Sequence, residues 1–176
     1  MPSSSFAQRI APDVIANCIN TGVFPSVVIA QAIQESGSGT SKIAQMYNNI
    51  FGHMANANWT GKKGQTTPHG NVWRWYNSIS DAISAEIVIL KKPIYLAAGV
   101  VTAKNPFAQA KAIQAAGFNR GGDRAQYADK LSRIIKENNL QQYDNQMFAQ
   151  ERSINKNHLA YYQQPAISKV LHNLLS

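Results

Sequence analysis

The chain has 176 residues, 44% of them hydrophobic and 15% charged, with 17 Lys and Arg against 9 Asp and Glu. That length and apolar content give one compact domain with a sizeable core, and exclude a disordered chain. The formal net charge of +8 favours an anionic partner such as nucleic acid, acidic phospholipid or the bacterial wall, but no Arg-rich helix, zinc-finger or RNA-binding signature accompanies it.

Residues 1–6 are short and polar, without the basic and apolar stretches of a Sec-type secretory signal, and no apolar run is long enough to span a bilayer. From Phe6 to Asn20 the residues Ile10, Val14, Ile15 and Cys18 recur at helical spacing, which predicts a first helix despite Pro12. Cys18, the single cysteine, forms no internal disulfide and reads as a small core residue. Gly22 breaks the chain, and Pro25 suits the first turn of a second helix that Gly37 must stop, so Glu35 falls at its C-terminal end. Residues 40–51 read as a third, shorter helix, and 53–70 as irregular loop rich in Asn, Gly, Thr and Pro. Val72 to Tyr76 is the one convincing strand.

Helices then resume. Ile79, Ile83, Ile87 and Leu90 share a face behind a Ser78 or Ser80 cap. Asn105-Pro106 opens another helix that Gly117 closes, Asp123 is placed to cap the next, and Ile167, Val170, Leu171, Leu174 and Leu175 form a C-terminal amphipathic helix. The pattern predicts a mainly α domain with one small loop-and-strand lobe inserted after the third helix. The domain spans residues 1–144, and residues 145–176 are a helical extension packed on it.

The acids are sparse, and none lies between Glu35 and Asp81. A lone glutamate closing an apolar helix has a chemical use: burial disfavours its charged form, so it keeps a proton that it can donate to a glycosidic oxygen. Trp59, Trp73, Trp75 and Tyr76 all fall in the inserted lobe, and aromatic faces stack on sugar rings. A solvated helix-end glutamate and tryptophans that only seal the lobe stand beside that reading. His53, His69, His158 and His172 show no metal-ligand spacing, and no nucleophile elbow or phosphate-binding Gly-rich loop is present, so neither a metal nor a cofactor is expected.

The segment from Pro25 to Gly39, with Ala30-Gln31-Ala32-Ile33-Gln34-Glu35-Ser36 at its centre, resembles the signature of family 73 glycoside hydrolases. Ser41 to Ala44, Asn48-Asn49-Ile50-Phe51-Gly52, Tyr76-Asn77-Ser78, Gly117-Phe118, Tyr127 to Leu131 and Tyr143-Asp144 continue the resemblance collinearly over roughly residues 6–144. It implies a lysozyme-like helical lobe and a small β-hairpin lobe flanking a substrate groove. It also implies cleavage of β-1,4 bonds in the peptidoglycan backbone, of endo-β-N-acetylglucosaminidase or muramidase type, with Glu35 as general acid. Asn48, Asn49 and Tyr127 match family motifs and are expected in the groove, and Trp73 and Trp75 join them by location.

Three departures stand out: the β-lobe has no second carboxylate, Phe118 replaces a tyrosine, and Ser38 replaces a tryptophan. The missing carboxylate leaves open a two-carboxylate mechanism using Asp81 or Asp123, substrate assistance, a lytic transglycosylase using Glu35 alone, and a catalytically dead wall-binding module. The expected partner is the glycan strand, not nucleic acid or a membrane. The expected setting is the periplasm or cell wall, reached by a specialised secretion system or phage, for an antagonist toxin with a cognate immunity protein or a phage-type lysin.

Overall fold

The computed structural model describes residues 3–66, 70, 72–118 and 124–162. Helix α1 (Ser3–Cys18) puts Phe6, Ile10, Val14 and Cys18 on its buried face, and the exposed Pro12 lies on the other. Helix α2 (Pro25–Ser36) is the axis of the domain. Val27, Val28, Ile29, Ala30 and Ala32 are fully buried, because α1, α6 (Pro106–Ala115), α7 (Tyr127–Glu137) and α8 (Gln141–Tyr162) pack around it. A helix apolar on nearly every side is stable only when enclosed in this way.

Both ends of α2 are held. Gln109 of α6 accepts a hydrogen bond from the Phe24 N–H at 2.8 Å and donates to the Gly22 and Val100 carbonyls at 2.9 and 2.7 Å. At the other end Gly37 takes the left-handed conformation (φ 57°), and its N–H bonds back to the Ile33 carbonyl, as the sequence predicts for a helix stopped by glycine.

Helix α3 (Lys42–Tyr47) starts on a Ser41 cap whose hydroxyl accepts from the Ala44 N–H. It is shorter than the expected 40–51 because Asn48 turns left-handed (φ 51°) and ends it. The β-lobe is a two-stranded antiparallel sheet of β1 (Lys63–Thr66) and β2 (Val72–Arg74), with an irregular register between the Lys63–Arg74 and Thr66–Val72 pairs. Residues 53–55 lie along the free edge of β2, where the Arg74 N–H donates to His53 O and the Ala55 N–H to Val72 O. Strand β1, expected as loop, is Lys-Gly-Gln-Thr and carries no apolar alternation. Gly64 is required there, since a Cβ would sit 2.6 Å from the Tyr47 ring.

Helix α4 (Ile79–Leu90) opens on a Ser78–Asp81 capping box, in which each side chain accepts from the other's backbone N–H. A short helix α5 (Pro93–Ala97) follows, which the sequence pattern did not mark. Helix α6 begins on Asn105, as expected, with the side chain accepting from the Ala108 N–H. Helix α8 runs unbroken through residue 144, burying Tyr143, Asp144 and Met147, and the Phe148 ring meets Phe24 edge-on. Asp123 and the helix expected at 167–175 lie outside the described residues. Among the described residues no helix is long and apolar enough to cross a membrane.

Candidate active site

Glu35 occupies the last turn of α2, where the turn beyond it is tied down by Ser36. The buried Ser36 hydroxyl donates to the Ala32 carbonyl and accepts from the Gly39 N–H at 2.7 Å. Glu35 itself is half-buried, and its Oε1 is enclosed without a hydrogen-bond partner. Desolvation pushes its pKa above the ordinary carboxylate value, the negative charge of Glu86 adds to the rise, and the Tyr127 hydroxyl opposes it. The C-terminal end of a helix is also the negative end of its dipole, which disfavours a carboxylate there. Each of these influences except the tyrosine favours the protonated form of Glu35, which is the state a general acid needs.

Tyr127 reaches this carboxyl from the first turn of α7. Its ring is fully buried and stacks on Phe118 at 5.3 Å, and its hydroxyl accepts from Gln31 Nε2 at 3.4 Å. Burial first, and then the Glu35 charge, push the phenol well above its usual pKa, so Tyr127 stays an O–H donor directed at Glu35. Phe118 forms the stacking floor of Tyr127 and meets Tyr95 edge-on.

Behind Glu35 lies a second polar group. Glu86 of α4 is completely buried, and its Oε2 is 2.8 Å from His53 Nε2, while His53 Nδ1 is 2.8 Å from the Tyr76 hydroxyl. Phe51 stacks on the imidazole at 5.4 Å. Gln31, Glu35 and Glu86 each keep one buried oxygen without a hydrogen-bond partner among the described residues. Sequence reasoning passed over both His53 and Glu86. The signal was present: position 86 falls on the apolar stripe of Ile79, Ile83 and Leu90, where a charged residue has to be paired.

The remaining expected groove residues hold the β-lobe together. Asn48 Nδ2 donates to the Tyr76 and Asn77 carbonyls at 3.0 and 3.1 Å. Asn49, 1% exposed, donates to His53 O and Arg74 O and accepts from the His53 N–H. Trp73 lines a shallow hollow with Met46 and Tyr47, and Trp75, 41% exposed, packs its ring on Tyr47 at 5.4 Å under the Lys62 ammonium. A wider hollow of about 530 Å³ runs between Trp59, Trp75, Tyr76 and Asp81. Their contacts lie with α3 and the hairpin, whereas the Tyr127 hydroxyl acts on the Glu35 carboxyl. Asp81 spends its carboxylate on the Ser78 N–H. Among the described residues no group of three or more His, Cys, Asp or Glu side chains is placed to hold a metal.

Residues 11–140 match the family model Glucosaminidase, described as mannosyl-glycoprotein endo-β-N-acetylglucosaminidase. The chain belongs to this glucosaminidase family, family 73 of the glycoside hydrolases. The exo-glucosaminidase LytG of Bacillus subtilis (strain 168) is 31% identical over 136 residues, covering 69% of this chain and 46% of LytG, so the chain spans less than half the length of that relative. The glycoside hydrolase domain of Salmonella typhimurium FlgJ superposes with a TM-score of 0.64 at 29% identity, over 92% of this chain and 98% of that one. A peptidoglycan hydrolase from Sphingomonas sp. A1 gives 0.66 at 29% identity, over 82% and 94%. A type VI secretion system effector–immunity complex from Pseudomonas protegens shares the fold at 21% identity, with a TM-score of 0.58 over 81% and 94%. The expected lysozyme-like architecture, a helical lobe beside a small antiparallel hairpin, is therefore the observed one.

Proposed function

We propose that this chain cleaves the β-1,4-linked glycan backbone of peptidoglycan, with Glu35 as its general acid. The observation that carries the reading is the half-buried Glu35 carboxyl at the end of α2, its Oε1 enclosed without a partner and its pKa raised by desolvation, beside the fully buried Tyr127. Family membership and the glycoside hydrolases and peptidoglycan hydrolase it resembles support the substrate class.

Glu35 gives its proton to the bridging oxygen as the C1–O bond breaks, so the leaving sugar departs as a neutral alcohol. The sequence holds no acid between Glu35 and Asp81, so the cation at C1 is met without a β-lobe carboxylate. The substrate's own N-acetyl oxygen bonds to C1, and water then opens that ring, losing its proton to the Glu35 carboxylate. The lone acid equally serves a transglycosylase, in which an intramolecular hydroxyl of the sugar replaces water. Asn48 and Asn49 fix the lobe that faces the acid, and Trp73 and Trp75 supply sugar-stacking faces along it.

The finer biological reading is a toxin or phage-type lysin that acts in the periplasm or wall and, as a toxin, is blocked by an immunity protein. It is supported by the +8 charge, suited to an anionic wall, and by a fold shared with the effector–immunity complex. Suppression of lysis by the co-expressed product of a neighbouring gene supports it, and absence of binding by every such product sinks it.

The enzymatic reading is tested by digesting purified sacculi with wild type and Glu35→Gln and identifying the released fragments by mass spectrometry. Wild type is expected to release muropeptides and the variant at least about a hundredfold less, the scale of a lost general acid. The reducing-end sugar names the bond, and products lighter by one water identify transglycosylation. Sedimentation of both proteins with sacculi, without soluble products from either, leaves a binding module instead.

A further inference from the structure

The hollow of about 530 Å³ on the β-lobe gathers Trp59, Lys62, Trp75 and Asp81 around one space. Its wall is built from the backbone outward. The Lys62 carbonyl accepts from the Trp75 N–H at 3.0 Å and from the Trp59 indole N–H at 2.9 Å, so one peptide group holds both tryptophans in place. The Arg74 guanidinium, 4.6 Å from the Trp59 ring, and the Tyr76 ring, edge-on at 5.6 Å, fix that indole further. Asn77 on the same wall is held through its carbonyl by Asn48 Nδ2 at 3.1 Å. On this rigid support Trp75 stays 41% exposed, with Tyr47 tilted against its ring at 5.4 Å. A large aromatic side chain held in place yet left in water is a face whose burial a ligand completes.

The charges of the hollow are unevenly spent. Asp81 is the one acid in its lining, and its carboxylate accepts from the Ser78 N–H at the start of α4, where the helix end already matches a negative charge. Lys62 is exposed, and no carboxylate among the described residues pairs with it. Its ammonium rests instead over the Trp75 ring, 5.9 Å from the centroid. That is the outer limit of a cation–π contact, and in water it is weak enough to be exchanged for an anion. We propose that this hollow is a subsite for the peptide-bearing part of the wall strand: a sugar ring stacks on Trp75, and a carboxylate of the attached peptide is taken by Lys62. This rests on the reading of peptidoglycan as the substrate. The two groups act on different parts of one ligand. Trp75 answers to the sugar whatever it carries, whereas Lys62 answers only to the charge, so Lys62 makes the enzyme prefer strands that keep their acidic peptides.

The test is binding by the Glu35→Gln protein of a wall tetrasaccharide carrying its peptides, and of the same fragment after its peptide carboxylates are converted to amides. Adding Trp75→Ala is expected to weaken both fragments about five- to tenfold, the scale of one aromatic contact. Adding Lys62→Gln is expected to weaken the native fragment about three- to fivefold at low salt, the scale of an exposed ion pair, and to leave the amidated fragment unchanged. Salt should erase the Lys62 effect and not the Trp75 effect. Unchanged affinity of the Trp75→Ala protein for both fragments overturns the proposal, as does a Lys62→Gln loss of equal size for both. If either added substitution prevents folding, the indole ¹⁵N–H signals of the Glu35→Gln protein decide. The Trp75 signal is expected to move on titration with the native fragment, and a stationary Trp75 signal overturns the proposal. Digestion of sacculi by wild type keeps the two readings apart. Sacculi left intact, with these affinity losses observed, remove the glycosidase and keep the subsite, whereas sacculi digested, with affinities unchanged, remove only the subsite.

Discussion

Asp144 and Ser26 close a buried clamp between α8 and the first turn of α2: one carboxylate oxygen accepts from the Ser26 N–H at 2.8 Å and the other meets the Ser26 hydroxyl at 2.7 Å. The clamp anchors the opposite end of the helix that carries Glu35. The side chain that fixes α2 is itself part of a helix continuing to residue 162.

That clamp makes stability depend on pH. Burial raises the Asp144 pKa to about 6, while the two Ser26 hydrogen bonds pull it down by less. A carboxyl with a raised folded pKa contributes stability that is complete below the unfolded value of about 4 and is lost as pH climbs through the folded one. The protonated carboxyl can still donate to Ser26 Oγ. Urea unfolding between pH 4 and pH 7 is expected to show this decline in wild type and a flatter curve in Asp144→Asn, which keeps an acceptor for the Ser26 N–H. Parallel curves would remove Asp144 as the cause.

Tyr127→Phe deletes the one group that favours ionised Glu35. The tyrosine lowers the Glu35 pKa, so its loss moves the basic limb of activity to higher pH. The phenol also donates to the carboxylate formed as Glu35 gives up its proton, so kcat is expected to fall about ten- to a hundredfold, one hydrogen bond at 1.4 kcal/mol per tenfold. Gln31 Nε2 loses its partner as well, which costs about 1 kcal/mol of stability. A pH-rate profile together with thermal melts separates these effects, and an unshifted limb would show that the hydroxyl does not engage Glu35.

The placement of Glu35 was legible because it depends on local signals: Pro25 starts the helix, Gly37 stops it, and the apolar residues between have nowhere to go but inward. The strand β1 was not, because Lys63-Gly64-Gln65-Thr66 is held by pairing and by Tyr47 lying against Gly64, and none of that is written as alternation. The His53–Glu86 pair joins residues 33 apart in sequence. Each looks ordinary alone, a histidine after a glycine and an acid in an apolar helix, and only the fold brings them together. Glu35 therefore looked isolated in sequence although a second carboxylate lies behind it. Asn48 and Asn49 were legible as important through their family motif, but the motif could not separate contact with glycan from the backbone bonds they make.

Asn49 carries the last prediction. Its amide donates to His53 O and Arg74 O at 2.8 and 3.0 Å, and its oxygen accepts from the His53 N–H at 2.9 Å, so one buried side chain ties residue 53 to the end of β2. Asn49→Ala strands the buried His53 N–H and removes a donor from the Arg74 and His53 carbonyls, the latter still held by the Arg74 N–H, and is expected to cost about 1–3 kcal/mol. The loss concentrates in the β-lobe, so amide exchange should quicken at residues 53–55 and 72–74 before it does in α2. Asn49→Asp separates geometry from charge. It still accepts from the His53 N–H but turns an oxygen toward two carbonyls, so at neutral pH it is expected to be at least as damaging as alanine. Protonation restores a donor, so the aspartate variant should regain stability as pH falls below its raised folded pKa, while the alanine variant should not. Equal melting temperatures for the two variants at every pH would mean that the Asn49 amide nitrogen contributes nothing to holding the lobe against the acid.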